Sequence, residues 1–249
     1  MLCLLASSTP SQNYVRAGQY SEFWVWGGVN PARIYPRGKR FYVLQGFVTR
    51  NGRETVFARQ GMSAFNGFGA VVLVYRLDAL AWDRKIYDTL LMHIRAWEYR
   101  GNKVWGVQLD FDSSSKNLRH YADFLRQVRQ DLPAAYGLSI TGLMEWASRV
   151  GDPATLESLQ GVVDEIIFQT YQGRHSIPDY PAYLKGLAKL RFPFKIGLVE
   201  NGEWDKRHEQ TLSQSGHYRG AVVFLLPETP AANNCLKSSR PAPADNICG

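Results

Sequence analysis

The sequence predicts an α/β protein that forms a single (β/α)₈ barrel, also called a TIM barrel. Three observations predict it: a length of 249 residues, eight short apolar runs rich in β-branched and aromatic residues, and helical patterns between most of these runs. One such barrel takes about 250 residues, and continuous apolar runs are typical of parallel strands covered on both faces. A doubly wound open sheet is the structural alternative, but no glycine-rich phosphate turn follows the first run.

The barrel is expected over residues 21–230, between a signal remnant or disordered segment at 1–20 and a tail at 231–249. The expected strands are residues 23–27, 41–47, 70–75, 104–112, 137–142, 165–171, 194–200 and 221–226. Apolar residues at three- and four-residue spacing predict helices over 83–100, 115–129, 154–163 and 180–190. Segments 49–69 and 203–219 are richer in glycine and polar residues and are less clearly helical.

Composition and charge exclude several classes of protein. The net charge is +7, but the basic residues stand in short runs mixed with acids, and no nucleic-acid motif appears, so no nucleic-acid partner is expected. A binder of nucleic acid or of an acidic polymer is therefore only the third hypothesis. No stretch reaches the ~20 apolar residues of a membrane helix. Cysteine and histidine form no ligand pattern, so neither a metal nor a cofactor is expected. The sequence does not indicate an oligomeric state.

Both termini favour export to the periplasm or the extracellular space. Residues 1–8 resemble the end of a secretory signal, although they lack a charged first region. Cys235 and Cys248 bracket a tail rich in Pro, Ser and Asn, where a disulfide would persist in an oxidising compartment. Two unpaired thiols are the alternative.

Polar side chains cluster at the carboxyl end of the fourth expected strand, the end at which barrel enzymes carry their chemistry. Gln108, Asp110 and Asp112 stand at alternate positions and therefore share one face. Two carboxylates side by side are costly to bury, and in a closed pocket they raise the pKa of one of them, which makes a proton donor. We therefore expect a polar pocket here. Two structural alternatives remain: Asp112 caps the next helix, or Arg76 neutralises Asp110.

Other expected strand ends carry side chains suited to sugars, whose hydroxyls bond to polar groups and whose flat apolar faces stack on aromatic rings. For the tryptophans, packing in the core is the alternative, and for the glutamates it is a place on the loop surface. The candidates are Trp26, Gln45, Arg76, Gln108, Trp146, Gln169, Tyr171, Arg174, Glu200 and Glu228.

Two of these segments resemble a known family. Residues 105–112, Trp-Gly-Val-Gln-Leu-Asp-Phe-Asp, resemble the fourth-strand signature DGxDxDxE of the chitinase-type family 18 glycoside hydrolases. In this register Asp110 matches the last Asp of the motif, and Asp112 takes the position of its proton-donating Glu. Residues 168–171 resemble the sixth-strand Met-x-Tyr segment, which implies that Tyr171 supports the N-acetyl group of the substrate. Trp105 and Gln108 replace two acids of the signature, and Asp112 is one methylene shorter than Glu.

Over residues 23–228 the chain more closely resembles the bacterial barrel family DUF3142, which implies a glycosidase-like barrel without an established activity. The segments that carry this resemblance are 23–26, 106–112, 138–143, 163–165, 169–174 and 193–198.

These features predict a glycoside hydrolase-like protein that acts on or binds a polysaccharide or glycan. We expect Asp112 to be the general acid and Asp110 its electrostatic partner, and the resemblance adds Tyr171 to the catalytic group. Glu200 or Glu228, across the barrel mouth, is expected as the nucleophile or as the base for water; the N-acetyl group of the substrate is the alternative. The other candidates are expected to bind substrate. The rival hypothesis is a carbohydrate-binding barrel without catalysis.

Overall fold

Eight parallel strands close into a barrel in the computed structural model, which describes residues 13–34, 38–147 and 153–227. In chain order the strands are β1 (Glu22–Val25), β2 (Arg40–Asn51), β3 (Glu54–Arg59), β4 (Ala70–Leu77), β5 (Lys103–Asp110), β6 (Gly137–Leu143), β7 (Glu165–Gln169), β8 (Tyr171–Gln172), β9 (His175–Ser176), β10 (Phe194–Val199) and β11 (Tyr218–Phe224). β1 pairs in parallel with both β2 and β11, which closes the ring β1-β2-β4-β5-β6-β7-β10-β11. The predicted (β/α)₈ fold is confirmed.

Within the described ranges, two long helices and three short ones cover the outside of the barrel. The helices are α1 (Arg84–Tyr99), α2 (Leu118–Asp131), α3 (Pro153–Glu157), α4 (Tyr180–Leu187) and α5 (Arg207–Leu212). Asp83 caps α1 by accepting a hydrogen bond from the backbone N–H of Ile86 at 3.0 Å. No helix in the described part of the chain is long and apolar enough to cross a membrane.

A hairpin replaces a helix between the second and third strands of the barrel. β3 runs antiparallel to the end of β2 and lies outside the ring. Gly52 at the tip has φ of +62°, a backbone conformation that suits glycine, and the β-branched Thr55 and Val56 that follow favour a strand. This hairpin explains why residues 49–69 showed no clear helical pattern.

Polar and aromatic side chains fill the barrel interior near the starts of the strands. Lys195 forms ion pairs with Glu22 at 2.6 Å and Glu165 at 2.9 Å, and Tyr42 donates to Glu165 at 2.7 Å. Lys195, Glu165 and Tyr42 are all buried. This layer closes the amino-terminal end of the barrel.

A second layer lies above it and is built around Trp24. The indole N–H of Trp24 donates to Gln108 at 2.5 Å, and the amide of Gln108 donates to Ser139 at 2.9 Å. Gly197 makes room for this ring, because a Cβ there would lie 2.7 Å from it. With these two layers filled, the interior is open to a ligand at the carboxyl end.

Candidate functional site

A cavity of about 990 Å³ opens at the carboxyl ends of the barrel strands. Aromatic rings form much of its lining and contact one another edge-on or tilted. The ring centroids of Trp26 lie 5.5 Å from Phe224 and 6.3 Å from Phe47, and those of Tyr171 and Phe224 lie 5.7 Å apart. This part of the cavity offers apolar ring surface to a ligand.

Arg76 holds two carboxylates together in the same cavity. Its guanidinium donates one hydrogen bond to Asp110 at 2.9 Å and another to Asp112. Thr141 donates to the other oxygen of Asp110 at 2.7 Å. Asp110 is only 2% exposed, whereas the side chain of Asp112 is 51% exposed. Asp110 is thus the inner, fully bonded carboxylate, and Asp112 is the one that a ligand reaches.

Burial shifts the pKa of two groups in this cavity. Burial raises the pKa of Asp110 above its usual value, while the charge of Arg76 and the hydrogen bond from Thr141 oppose the rise. Burial, reinforced by the charge of Asp110, raises the pKa of Tyr171 well above its usual range. The phenol of Tyr171 therefore stays protonated and can donate a hydrogen bond to a ligand.

Seven of the residues singled out in the sequence come together in this cavity. They are Trp26, Arg76, Asp110, Asp112, Gln169, Tyr171 and Arg174. β5 ends at Asp110, so Asp112 lies just beyond it, and β7 ends at Gln169, so Tyr171 belongs to the short strand β8 that follows. The hydrogen bond found for the carboxylate of Asp112 comes from Arg76, and Arg76 also forms the ion pair with Asp110 that the neutralising alternative expects.

Gln45 and Gln108, predicted to bind substrate, are instead buried inside the protein. The amide of Gln45 donates to backbone oxygens of β2, and its oxygen accepts from Trp97 of α1 at 3.0 Å. Gln108 bonds to Trp24 and Ser139 below the cavity. Both predictions are corrected, because buried amides that already have protein partners have no bond to offer a sugar.

Trp146 and Glu200 are likewise outside the cavity lining. Trp146 is fully buried and donates to the backbone oxygen of Ser113 at 2.8 Å, so it cannot be a stacking platform. The carboxylate of Glu200 accepts a hydrogen bond from the backbone N–H of Leu226 at 3.0 Å. This bond gives Glu200 a structural role in place of the predicted nucleophile, since the acid joins two chain segments.

Some predictions fall on residues that the structure does not describe. The signal-like residues 1–8, Cys235, Cys248 and Glu228 all lie outside the described residues. The export signal, the disulfide and the role of Glu228 therefore stay predictions.

Several residues that line or support the cavity were not singled out in the sequence, among them Thr141, Phe47 and Phe224. Thr141 lies on β6 and bonds to Asp110, and its alternation with Ser139 along that strand would have indicated that both side chains point into the barrel. Phe47 and Phe224 stand at the carboxyl ends of expected strands, as Trp26 does, but nothing in their local sequence separates them from core residues.

The carboxylates of the cavity do not form a metal centre with other ligands. Within the described ranges no group of three or more His, Cys, Asp or Glu side chains is arranged to hold a metal ion. Asp110 and Asp112 are both engaged by Arg76. The arrangement is suited to hydrogen bonding and to electrostatic recognition.

Solved structures that are similar to this one include a lytic enzyme and an inhibitor protein. The crystal structure of the Bacillus cereus spore cortex-lytic enzyme SleL is 19% identical with a TM-score of 0.45, over 68% of this chain and 45% of that chain. The chain thus spans less than half the length of SleL. A xylanase-A-amylase inhibitor protein, XAIP-III, is 11% identical with a TM-score of 0.50, over 82% of this chain and 93% of that chain. At such identity the likeness to XAIP-III shows the barrel fold alone.

The sequence itself matches one family over its central part. No curated protein matches the chain. Residues 69–184 match the family described as "Domain of unknown function (DUF3142)". The matched segment contains the Arg76, Asp110 and Asp112 cluster but not Trp26 or Phe224. The resemblance to DUF3142 is therefore confirmed for residues 69–184, and the chain that carries it is a (β/α)₈ barrel.

Proposed function

We propose that the cavity at the carboxyl end of the barrel binds a carbohydrate chain. The observation that carries the proposal is that aromatic rings and the cluster of Arg76, Asp110 and Asp112 line one cavity of about 990 Å³. Ligand pockets combine apolar and aromatic surface with a few polar groups that orient the ligand. A sugar has matching features, namely apolar C–H faces and a rim of hydroxyls. The resemblance of residues 105–112 to the chitinase-type signature supports the same proposal.

In the proposed complex, aromatic rings contact the apolar faces of the sugar and polar side chains bond to its oxygens. Trp26 and Phe224 pack against the C–H faces of the sugar rings. Asp112 and Gln169 bond to hydroxyls, and the phenol of Tyr171 donates to an oxygen of the ligand. Asp110 is too deeply buried to make the main contacts, and it serves to hold Arg76 in place.

A binding experiment with two tryptophan variants tests this proposal. The probes are chito-, xylo- and cello-tetraose, titrated by calorimetry. Trp26→Ala is expected to weaken binding about ten-fold, since the loss of one stacking contact costs roughly 1.4 kcal/mol. Trp146→Phe is the matched control, because Trp146 lies outside the cavity, and it should change the affinity less than two-fold. Absence of binding by all three probes, or equal losses in the two variants, contradicts the proposal.

Hydrolysis of the bound glycan is the second candidate function. One observation favours it: the half-exposed Asp112 lies beside the buried Asp110, as the general acid and its partner do in the resembled signature. A general acid must carry a proton, however, and the hydrogen bond from Arg76 holds Asp112 as an acceptor. Hydrolysis therefore requires the substrate to draw Arg76 away, and for this reason binding stands first. With Glu200 bonded to backbone outside the cavity, the nucleophile in this proposal is the N-acetyl group of the substrate, and the predicted role of Glu228 is the alternative.

Release of reducing ends separates the two functions. Under the hydrolase hypothesis the wild type releases reducing ends from N-acetylated oligosaccharides, Asp112→Asn abolishes release, and binding persists. Asp123→Asn, a change of an exposed aspartate on α2, is the control and should keep full activity. If the wild type binds the oligosaccharides without releasing reducing ends, only the binding function is supported. If Asp112→Asn still releases reducing ends, Asp112 is not the general acid.

A further inference from the structure

The inner part of the cavity holds more carboxylate charge than guanidinium charge. Asp110 and Asp112 both bond to one partner, Arg76, so the three side chains carry two negative charges and one positive. Among the described residues, the other charged side chains in the lining are Glu145 and Arg174, which are exposed and of opposite sign. The excess negative charge therefore lies with the inner cluster.

This negative charge is local to the cavity. The whole chain has a net charge of +7, so an acidic composition does not account for two carboxylates at the open end of the barrel. A partly enclosed site strengthens electrostatic interactions relative to bulk water. The affinity of a ligand in the cavity therefore depends on the charge of the group that it places beside Asp112.

The aromatic part of the cavity favours the same kind of group. The faces of Trp26, Tyr171 and Phe224 carry the negative side of the ring quadrupole and attract cations. Aromatic faces combined with an unbalanced carboxylate are the features by which proteins recognise an ammonium group. A carboxylated sugar would instead meet charge of its own sign.

We propose that the cavity selects a glycan built from hexosamine units with free amino groups. In this proposal the carboxylate of Asp112 binds the ammonium group of one unit. The inference rests on the proposed glycan-binding function and specifies its ligand. Asp112 receives the ammonium because its carboxylate is half exposed, whereas Asp110 is covered. Arg76 stays in place and balances the second carboxylate.

Three β-1,4-linked tetrasaccharides that differ only at carbon 2 test the proposal. They are the tetramers of glucosamine, N-acetylglucosamine and glucose, titrated by calorimetry at pH 6. The expected result is about ten-fold tighter binding of the glucosamine tetramer than of either neutral tetramer, the range of one partly desolvated charge contact. The preference should shrink when salt rises from about 0.05 to 0.5 M, because salt screens it.

Variants assign the preference to one side chain. Asp112→Asn keeps the shape of the side chain and removes its charge, so the ten-fold preference for the glucosamine tetramer over the neutral tetramers should fall below about three-fold. The measured quantity is this ratio of affinities, because Asp112 also bonds to hydroxyls and the variant weakens the neutral tetramers as well. Asp123→Asn is the matched control and should keep the preference. Equal or tighter binding of a neutral tetramer overturns the inference but leaves glycan binding intact. If none of these tetramers nor xylotetraose binds, the proposed function fails and the inference fails with it.

Discussion

Replacement of Arg76 by methionine tests the central electrostatic feature of the site. The change keeps much of the side-chain volume but removes the guanidinium that bonds to Asp110 and Asp112. Asp110 would then be a buried carboxylate with Thr141 as its one remaining side-chain partner. Because a buried charge without a counter-charge is costly, we expect the variant to fold less stably at neutral pH.

The size of the effect follows from a comparison with a second ion pair in the same chain. Removal of one partner from a buried pair costs about 3–5 kcal/mol, and the partial exposure of Arg76, 26% of its side chain, reduces our expectation to about 2–4 kcal/mol. The Arg84–Asp88 pair has the same N–O distance, 2.9 Å, but its side chains are 81% and 58% exposed. Arg84→Met should therefore cost only about 0.3–0.5 kcal/mol.

The cost of Arg76→Met should also depend on pH. Burial already raises the pKa of Asp110 and Arg76 opposes that rise, so loss of Arg76 raises the pKa further. A carboxyl whose folded-state pKa lies above its unfolded value contributes stability that is present below the unfolded pKa and is lost as the pH rises through the folded pKa. The variant should thus lose stability relative to the wild type as the pH rises from about 4 to 7.

Urea unfolding at pH 7 and near pH 4 measures these differences. The double variant Arg76→Met/Asp110→Asn should recover at least half of the stability lost at pH 7, because it removes the uncompensated charge. The reasoning is refuted if Arg76→Met costs no more than Arg84→Met at pH 7, or if the double variant is as unstable as the single one.

Three further predictions concern groups away from the site. Burial lowers the pKa of His93 to about 4, so acidification from pH 6.5 to 4 should remove up to about 3 kcal/mol from the free energy of unfolding. In His93→Phe, the free energy of unfolding by urea should change less over this pH range. Gly197→Ala should cost about 1–3 kcal/mol because its Cβ would meet Trp24, and an unchanged thermal midpoint contradicts this packing. Lys195→Met should cost about 3–5 kcal/mol, and Lys195→Met/Glu165→Leu should recover most of it in chemical denaturation.

The barrel was predictable because its signals are local. Continuous apolar runs indicate covered strands, and α1 begins one residue after the Asp83 that starts the expected helix. The later helices were less predictable: the expected helix at 154–163 is α3, only five residues long. Packing against the barrel, rather than intrinsic periodicity, decides where such a short helix ends.

The candidate site was predictable where the alternation of side chains along a strand decides which of them point into the barrel. Gln108 and Asp110 do face the barrel interior, as their spacing indicates. Spacing does not tell which inward side chain reaches the cavity and which is bonded below it. The side chain of Gln108 accepts a hydrogen bond from Trp24, which is 84 residues away in the chain. The side chain of Gln45 accepts one from Trp97, which is 52 residues away, so neither amide reaches the cavity.

By itself the sequence determined the fold class, the order of the eight strands and the two aspartates at the end of the fourth barrel strand, because these depend on periodicity along the chain. The tertiary structure alone decided that Arg76 joins those aspartates, that Glu200 bonds to the backbone of Leu226 and that Trp146 is buried. These contacts join residues about 25 to 35 positions apart, brought together by the packing of neighbouring barrel strands and the segments that follow them. A polar or aromatic side chain is available to a ligand only where that packing leaves it without a complete set of protein partners.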